Sequence, residues 1–105
     1  MNVATEINRE TLAIIAAESI AKINPEKQDG KRWINAIAKA VAEIESNPFM
    51  SYSHDSHSLL MLSETSGEIY TANGTCQCKA FKQGYPCRHR AAARLIQLYV
   101  ERCDK

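Results

Sequence analysis

The feature that most constrains this chain is a cluster of four metal-donor side chains in its C-terminal third. Cys76, Cys78, Cys87 and His89 fall within fourteen consecutive positions, as two pairs that are each separated by one residue. Zn²⁺ takes four sulfur or nitrogen donors at tetrahedral corners, and short chains usually supply them as two close pairs joined by a loop. The four residues therefore predict one bound zinc ion, with residues 79–86 as the connecting loop.

Other interpretations of the four residues stay open at this point. They could be small buried side chains beside a surface histidine, or two of the cysteines could form a disulfide. We expect zinc because clustered Cys and His in a reducing compartment hold metal more often than they form disulfides. Four protein donors also fill the coordination sphere of zinc, which predicts a closed structural site and not a catalytic one with an open position.

The N-terminal residues and the hydropathy pattern predict a cytoplasmic protein. Glu6 and Glu10 interrupt the basic-then-apolar order of a signal peptide, and no apolar run reaches the length of a membrane span. The chain has 105 residues, of which 45% are hydrophobic, and this size predicts a single domain over residues 1–105. Cys103 stands apart from the cluster, and we assign it no role.

The first 47 residues have the periodicity of two helices. Apolar residues between positions 4 and 23 recur about every 3.6 residues, which predicts an amphipathic helix that ends before Asn24-Pro25. A second helix is predicted after Asp29, its N-cap, with an apolar stripe from Trp33 to Ile44 that stops before Ser46-Asn47-Pro48. The short link predicts an antiparallel helical hairpin in residues 1–47 whose apolar stripes face each other.

Short strands and one more helix are predicted in residues 48–105. Residues 49–53, 58–63 and 68–72 have strand-like patterns, and the last two segments are expected to pair as a hairpin around a turn at residues 64–67. After a second turn signal at Asn73-Gly74, an extended backbone would point Cys76 and Cys78 the same way. Residues 91–100 predict a helix that opens near Cys87, where free N–H groups favour a thiolate. The predicted fold class is α+β: a helical hairpin, a short antiparallel sheet, a zinc-binding loop and a C-terminal helix.

The two donor pairs resemble the SWIM-type zinc finger, whose pattern is CxC, a variable spacer and CxH. Cys76-Gln77-Cys78 and Cys87-Arg88-His89 carry the match, and the preceding strand, Ala80-Phe81, Gly84 and the alanine-rich helix extend it over roughly residues 58–102. The helical first half has no counterpart in that family. The resemblance implies binding to DNA or other proteins, because SWIM modules occur in transposases, helicase-like ATPases and recombination accessory proteins. This sequence departs from many of those in having no catalytic domain attached, so we expect a small stand-alone member.

Charge is divided unevenly along the chain. The formal net charge is +1, but residues 1–68 hold six basic against ten acidic side chains, whereas residues 69–105 hold seven against two. We therefore expect a nucleic-acid-binding face, of DNA or RNA, around the zinc site. Its five candidate cations are Lys79, Lys82, Arg88, Arg90 and Arg94. Phe81 and Tyr85 are available for stacking on bases.

Three alternatives compete with nucleic-acid binding. The cations could form an ordinary solvated face, with Arg88 and Arg90 balancing the thiolates, and a pI near 7.7 argues against strong sequence-independent binding. The helices and the charge asymmetry also suit a protein-protein interaction adaptor that acts with a larger DNA-processing or recombination protein. An enzyme would have to use His54-Asp55-Ser56-His57 as a second metal site or acid-base pair. We expect a solvated loop there and no enzyme, since no phosphate loop, nucleophile elbow or His-Glu-x-x-His run is present.

The scale of zinc binding adds an expectation about stability. Structural zinc contributes on the order of 10 kcal/mol to the folding of small domains, more than the usual stability of a domain. Apart from the last helix, few large apolar residues follow Tyr70. We therefore predict that this region does not stay ordered without metal.

Overall fold

Two long helices, a three-stranded sheet and a final helix follow one another along the chain. The computed structural model describes residues 2–47, 49–53, 55–62, 67–73, 76 and 78–103. In chain order the elements are α1 (Val3–Glu6), α2 (Arg9–Ala21), α3 (Gly30–Ser46), β1 (Met50–Ser53), β2 (Ser58–Leu62), β3 (Ile69–Ala72), α4 (Lys79–Lys82) and α5 (Arg88–Cys103). The predicted α+β fold class is confirmed.

The first predicted helix is interrupted, and the prediction of one helix over residues 4–23 is wrong at this point. Ile7 and Asn8 have extended backbones between α1 and α2. The Asn8 side-chain oxygen accepts hydrogen bonds from the N–H groups of Glu10, at 2.9 Å, and Thr11, at 3.1 Å. An asparagine that caps free N–H groups competes with a continuing helix, and hydrophobic periodicity does not detect this competition.

The start of α3 lies where the sequence predicts it, but Asp29 does not cap the helix with its side chain. Asp29 has a left-handed φ of 64°, and its carboxylate lies 3.7 Å from the Arg32 guanidinium. Gly30, the first residue of α3, is buried against the Asn24 carbonyl, where a Cβ would collide. The tight connection from α2 to α3 therefore depends on the missing side chain of Gly30.

The strands form an antiparallel sheet in the order β1-β2-β3, which confirms the predicted hairpin of the last two strands. Leu59 pairs with Ala72 and Leu62 with Ile69. β1 begins at Met50 and β3 at Ile69, each one residue later than predicted. Residue 63, the predicted end of β2, lies outside the described residues. Most of the turn predicted at residues 64–67, together with residue 74 of the second turn, lies outside the described residues.

The core lies between the sheet and the helices, and α5 passes through its centre. This helix packs against α2, α3, β2 and β3, so the stripes of α2 and α3 face α5 as well as each other. Small side chains at Ala91 and Ala92 on α5 are buried there and permit close helix contact. The largest fully buried side chains are Val3, Leu12, Ile44, Leu59, Met61, Leu95 and Ile96.

Candidate metal centre

The structure brings the four predicted donors together. The ligand atoms of Cys76, Cys78, Cys87 and His89 all lie within 4.8 Å of one another, and all four residues are buried. The Cys76 Sγ and His89 Nδ1 atoms are 3.6 Å apart. Donors about 2.0 to 2.3 Å from a shared tetrahedral ion lie roughly 3.3 to 3.8 Å from one another. The four donor atoms therefore need to move only slightly closer together to bind one ion. Three thiols and one imidazole fit one structural Zn²⁺, as predicted.

The first donor pair is positioned by the chain that follows β3. Cys76 lies four residues beyond the last residue of that strand, and Cys78 lies in a bend. Residue 77 lies outside the described residues, so the extended backbone expected through this pair stays a prediction. The Cys78 carbonyl accepts a hydrogen bond from the Lys82 N–H at 3.2 Å. This bond belongs to α4, a single helical turn inside the segment predicted as a loop. Gly84, with φ of 80°, then reverses the chain.

The second donor pair opens α5. The Cys87 carbonyl accepts a hydrogen bond from the Ala91 N–H at 3.2 Å, and the Cys87 Sγ accepts one from the Arg90 N–H at 3.3 Å. Cys87 therefore occupies the cap position of the helix, where free N–H groups point at its sulfur. His89 follows within the first turn, and its ring lies 4.9 Å from the Tyr70 ring. The helix start thus fixes both donors of the pair.

Burial controls the protonation of Cys76 and Cys87 in the metal-free cluster. It raises the pKa of Cys76 to about 12. Burial also raises the pKa of Cys87, and the hydrogen bond from the Arg90 N–H opposes this without reversing it. The N–H group at the helix start does lower the pKa of Cys87, as expected. The expectation of a thiolate is nevertheless wrong for the metal-free cluster, because burial raises the pKa by more. Zinc must displace thiol protons when it binds.

The imidazole donor is in the form that a metal ion needs. Burial, assisted by the neighbouring Arg88 guanidinium, lowers the pKa of His89 below its ordinary 6.5, and the carboxylate of Glu43 opposes this shift. His89 is consequently neutral near pH 7. A neutral imidazole has a free lone pair for coordination, whereas an imidazolium does not.

Helix α3 supports the metal centre through aromatic contacts. The Arg90 guanidinium carbon lies 5.2 Å from the ring centroids of both Trp33 and Phe81, so Arg90 joins α3 to the spacer between the donor pairs. Phe81 itself packs against the three cysteines. Cation–π contacts of this kind contribute about 0.5 to 2 kcal/mol each. Phe81 is therefore part of the small core and not a free stacking surface.

Two further contacts from α3 reach the same region. The Arg88 Nε lies 4.0 Å from a carboxylate oxygen of Glu43. Near the start of α3, the Arg32 guanidinium lies 4.1 Å from the ring centroid of Tyr85, which remains 44% exposed. Sequence reasoning missed Arg32, because its place beside Tyr85 results from a contact between distant parts of the chain. No local pattern indicates it.

The cations predicted to form one face occupy different surroundings. Lys82 is exposed, Arg88 lies beside Glu43, and Arg90 is partly buried between two rings. Arg94 is exposed and lines a groove between helices together with Trp33. The side chain of Lys79 lies outside what the structure describes. Lys82 and Arg88 are thus the predicted cations that lie exposed beside the spacer.

The histidine-containing loop gives no second metal centre in the described part of the chain. His57 has a left-handed φ of 52°, and its Nδ1 lies 3.2 Å from the Tyr52 hydroxyl. His54 lies outside the described residues. Within the residues that the structure covers, Cys, His, Asp and Glu side chains gather into a metal-sized group at Cys76–His89 alone.

None of the helices in the described segments combines the length and the apolar character that crossing a bilayer requires.

Comparison with known proteins identifies the segment that holds the four donors. Residues 70–94 match the model of the SWIM zinc finger family. The match begins at Tyr70, whose ring contacts His89, and continues into the second turn of α5. Neither a curated protein nor a solved structure matches the chain. The matched residues include all four donors and also Tyr70 and Phe81, which pack against the cysteines.

Proposed function

We propose, from the premise that residues 70–94 form a SWIM zinc finger, that this finger binds nucleic acid and that its zinc ion is structural. Four protein donors close the coordination sphere, so zinc would hold the finger in shape and leave no position for a substrate. The same closure supports a non-enzymatic role. The metal would fix the spacer residues that lie between the donor pairs.

The observation that carries this proposal is an exposed aromatic ring among cations. Tyr85 is 44% exposed, the guanidinium of Arg32 lies 4.1 Å from its ring, and Lys82 is exposed three residues earlier. Proteins that bind single-stranded nucleic acid combine aromatic rings for base stacking with cations for the phosphates. Asp29 lies 3.7 Å from the Arg32 guanidinium, but the Arg32 side chain is 54% exposed, so solvent screens this pair. Arg32 therefore remains available to a phosphate.

A salt titration tests the proposal. Fluorescence anisotropy of labelled single-stranded DNA, single-stranded RNA and duplex DNA should show affinity that falls as salt rises, because phosphate contacts release counterions. Lys82→Gln should weaken binding to all sequences and reduce the salt slope by about one. Tyr85→Ala should cost about 1 to 3 kcal/mol on single strands, the usual contribution of base stacking.

Arg102→Gln is the matched control for this titration. It removes one positive charge from α5, as Lys82→Gln removes one from the spacer. At a rise of 1.5 Å per residue, Arg102 lies about 21 Å along the helix from Arg88. Arg102→Gln should leave the salt slope unchanged. Salt-independent binding, or equal losses for Arg102→Gln and Lys82→Gln, would contradict a nucleic-acid surface at the spacer.

An adaptor function is the second candidate, and a different surface supports it. Phe49, Leu60 and Ile69 are large apolar residues that are 60%, 42% and 66% exposed, and they share one groove on the outer face of the sheet. Exposed apolar patches of this kind often contact other proteins. A larger DNA-processing protein could cover this face. An oligonucleotide affinity that changes neither with salt nor with the Lys82 and Tyr85 substitutions would favour the adaptor function.

A further inference from the structure

A groove between α2, α3 and α5 combines an apolar interior with two cations. Its volume is about 320 Å³, and it opens to solvent along one side. The apolar lining includes Trp33 and Ile37 from α3 and Leu95 and Leu98 from α5. Lys22, directly after α2, and Arg94, on α5, also line it and are both exposed. A ligand with apolar and negatively charged parts fits this lining.

The two cations have no ion-pair partner among the residues that the structure describes. Glu18 lies 3.1 Å from Arg102, and Glu101, which accepts a hydrogen bond from the neutral Gln97 amide at 3.3 Å, forms no ion pair with Lys22 or Arg94 among the described residues. Lys22 and Arg94 therefore retain their charge for an external anion. Since they come from different helices, they offer two separate points of contact.

The dimensions of the groove indicate what it can hold. With a volume of about 320 Å³ and an open side, it is a surface groove and not an enclosed cavity. Small-molecule pockets enclose about 70 to 90% of their ligand, whereas a groove with an open side contacts one face only. An amphipathic helix meets this condition, because its apolar face enters a groove while the rest stays in solvent.

We propose that this groove docks an acidic amphipathic helix of a partner protein. Apolar side chains at positions i and i+4 are neighbours on a helix and would enter between Trp33 and Leu98. Acidic residues at i+1 and i+3 lie on either side of that stripe and would meet Lys22 and Arg94. The proposal is independent of nucleic-acid binding by the zinc finger. It gives Arg94 a carboxylate partner in place of the phosphate that the charge pattern predicts.

The chain contains one tryptophan, Trp33, which lines the groove and can report binding by its fluorescence. The probes are two Trp-free helical peptides with leucines at i and i+4 and either glutamates or glutamines at i+1 and i+3. In low salt the glutamate peptide should bind about 2- to 30-fold more tightly, the fold-change that corresponds to two exposed ion pairs of about 0.2 to 1 kcal/mol each. Lys22→Gln and Arg94→Gln should each weaken its binding about two- to fivefold and leave the glutamine peptide unaffected.

Two further variants control this experiment. Arg9→Gln removes a charge from the start of α2, about 20 Å along the helix from Lys22, and should leave both affinities unchanged. Leu98→Ala should weaken both peptides alike, because it removes apolar contact and no charge. Circular dichroism confirms that each variant folds.

Several results would overturn the proposal. Equal binding of the two peptides would show that Lys22 and Arg94 do not select acidic residues. The proposal would also fail if Arg94→Gln bound the glutamate peptide as tightly as the unchanged protein. It would fail likewise if Arg9→Gln weakened that binding as much as Arg94→Gln does. Binding of octanoate but of neither peptide up to 1 mM would make the groove a small-molecule site. The oligonucleotide titration has a separate readout, so either proposal can fail while the other stands.

Discussion

The main core and the metal centre are stabilised by different means within one small fold. In the main core, side chains such as Leu12, Leu59 and Ile96 are fully buried against one another. Around the metal centre, the large apolar side chains that pack against the buried cysteines in the described part of the chain are Tyr70 and Phe81. We therefore expect apolar burial to stabilise the first region without metal, and the second to need a cation that holds its donors together.

Helix α5 belongs to both regions, and this changes the expected effect of metal loss. Its first turn carries His89, but Leu95, Ile96 and Tyr99 are buried in the main core. We therefore narrow the prediction of zinc dependence from the whole region after Tyr70 to residues 76–89. Residues 76–89 have few apolar contacts of their own, while the rest of α5 is held by the main core.

Zinc removal should produce the largest difference in stability between the metal centre and the main core. Structural zinc contributes on the order of 10 kcal/mol, so chelation should abolish the protection of backbone amides in residues 76–89. Amides of α2, α3 and residues 95–100 should remain protected. Hydrogen exchange followed by mass spectrometry measures both segments in one sample. Equal loss of protection in both would mean that the two regions are one cooperative unit.

A cavity in the main core should destabilise the protein whether or not zinc is bound. Leu59 is fully buried, and Leu59→Ala should lower the free energy of unfolding by about 2 to 5 kcal/mol. Ile14 is 52% exposed on α2, and Ile14→Ala should change the free energy of unfolding by less than about 0.5 kcal/mol. Urea unfolding of both variants, with and without chelator, checks the pair. Similar losses in the two variants would contradict the assignment of the core.

Acid should weaken the metal centre and leave the main core largely unaffected. Burial keeps the thiols of Cys76 and Cys87 protonated in the metal-free protein, so zinc affinity should fall by up to about tenfold per pH unit for each thiol proton displaced. The pKa of His89 is lowered in the folded protein, so the unfolded chain binds its proton first as pH falls through 6.5. That difference also removes stability on the acidic side.

Competition with a zinc-sensitive dye between pH 8 and pH 6 measures this dependence. The affinity should decrease monotonically over that range. Affinity that is constant, or that increases toward pH 6, would show that the donors do not lose protons on binding.

The contacts from α3 should have the smallest effects. Arg90→Met would remove the cation between Trp33 and Phe81 and should reduce zinc affinity by about 1 kcal/mol, or fivefold. Glu43→Gln should cost less than 1 kcal/mol, because the Arg88 side chain is 46% exposed and its ion pair is long. Dye competition at fixed pH ranks the two variants. The reverse order would mean that Glu43 has a larger role beside His89 than its distance from Arg88 indicates.

Sequence reasoning found the features that depend on local spacing. The positions of the four donors, the hairpin of β2 and β3 and the helix after Cys87 all follow from periodicity, turn residues and donor spacing. The break at Asn8 could not be found this way. The apolar periodicity continues through Asn8, but its side chain caps the N-terminus of α2 and ends the preceding helix. The pairing of Arg32 with Tyr85 and the groove at Trp33 depend on how distant helices pack.

The central claim is that one zinc ion, held by four protein donors, orders the segment from Cys76 to His89. Metal analysis of the purified chain and of Cys78→Ser tests it most directly, with hydrogen exchange on the same samples. The wild-type chain should contain about one zinc per molecule, and Cys78→Ser should lose most of the metal together with the protection of residues 76–89. A wild-type chain that is metal-free yet fully protected in this segment would contradict the claim.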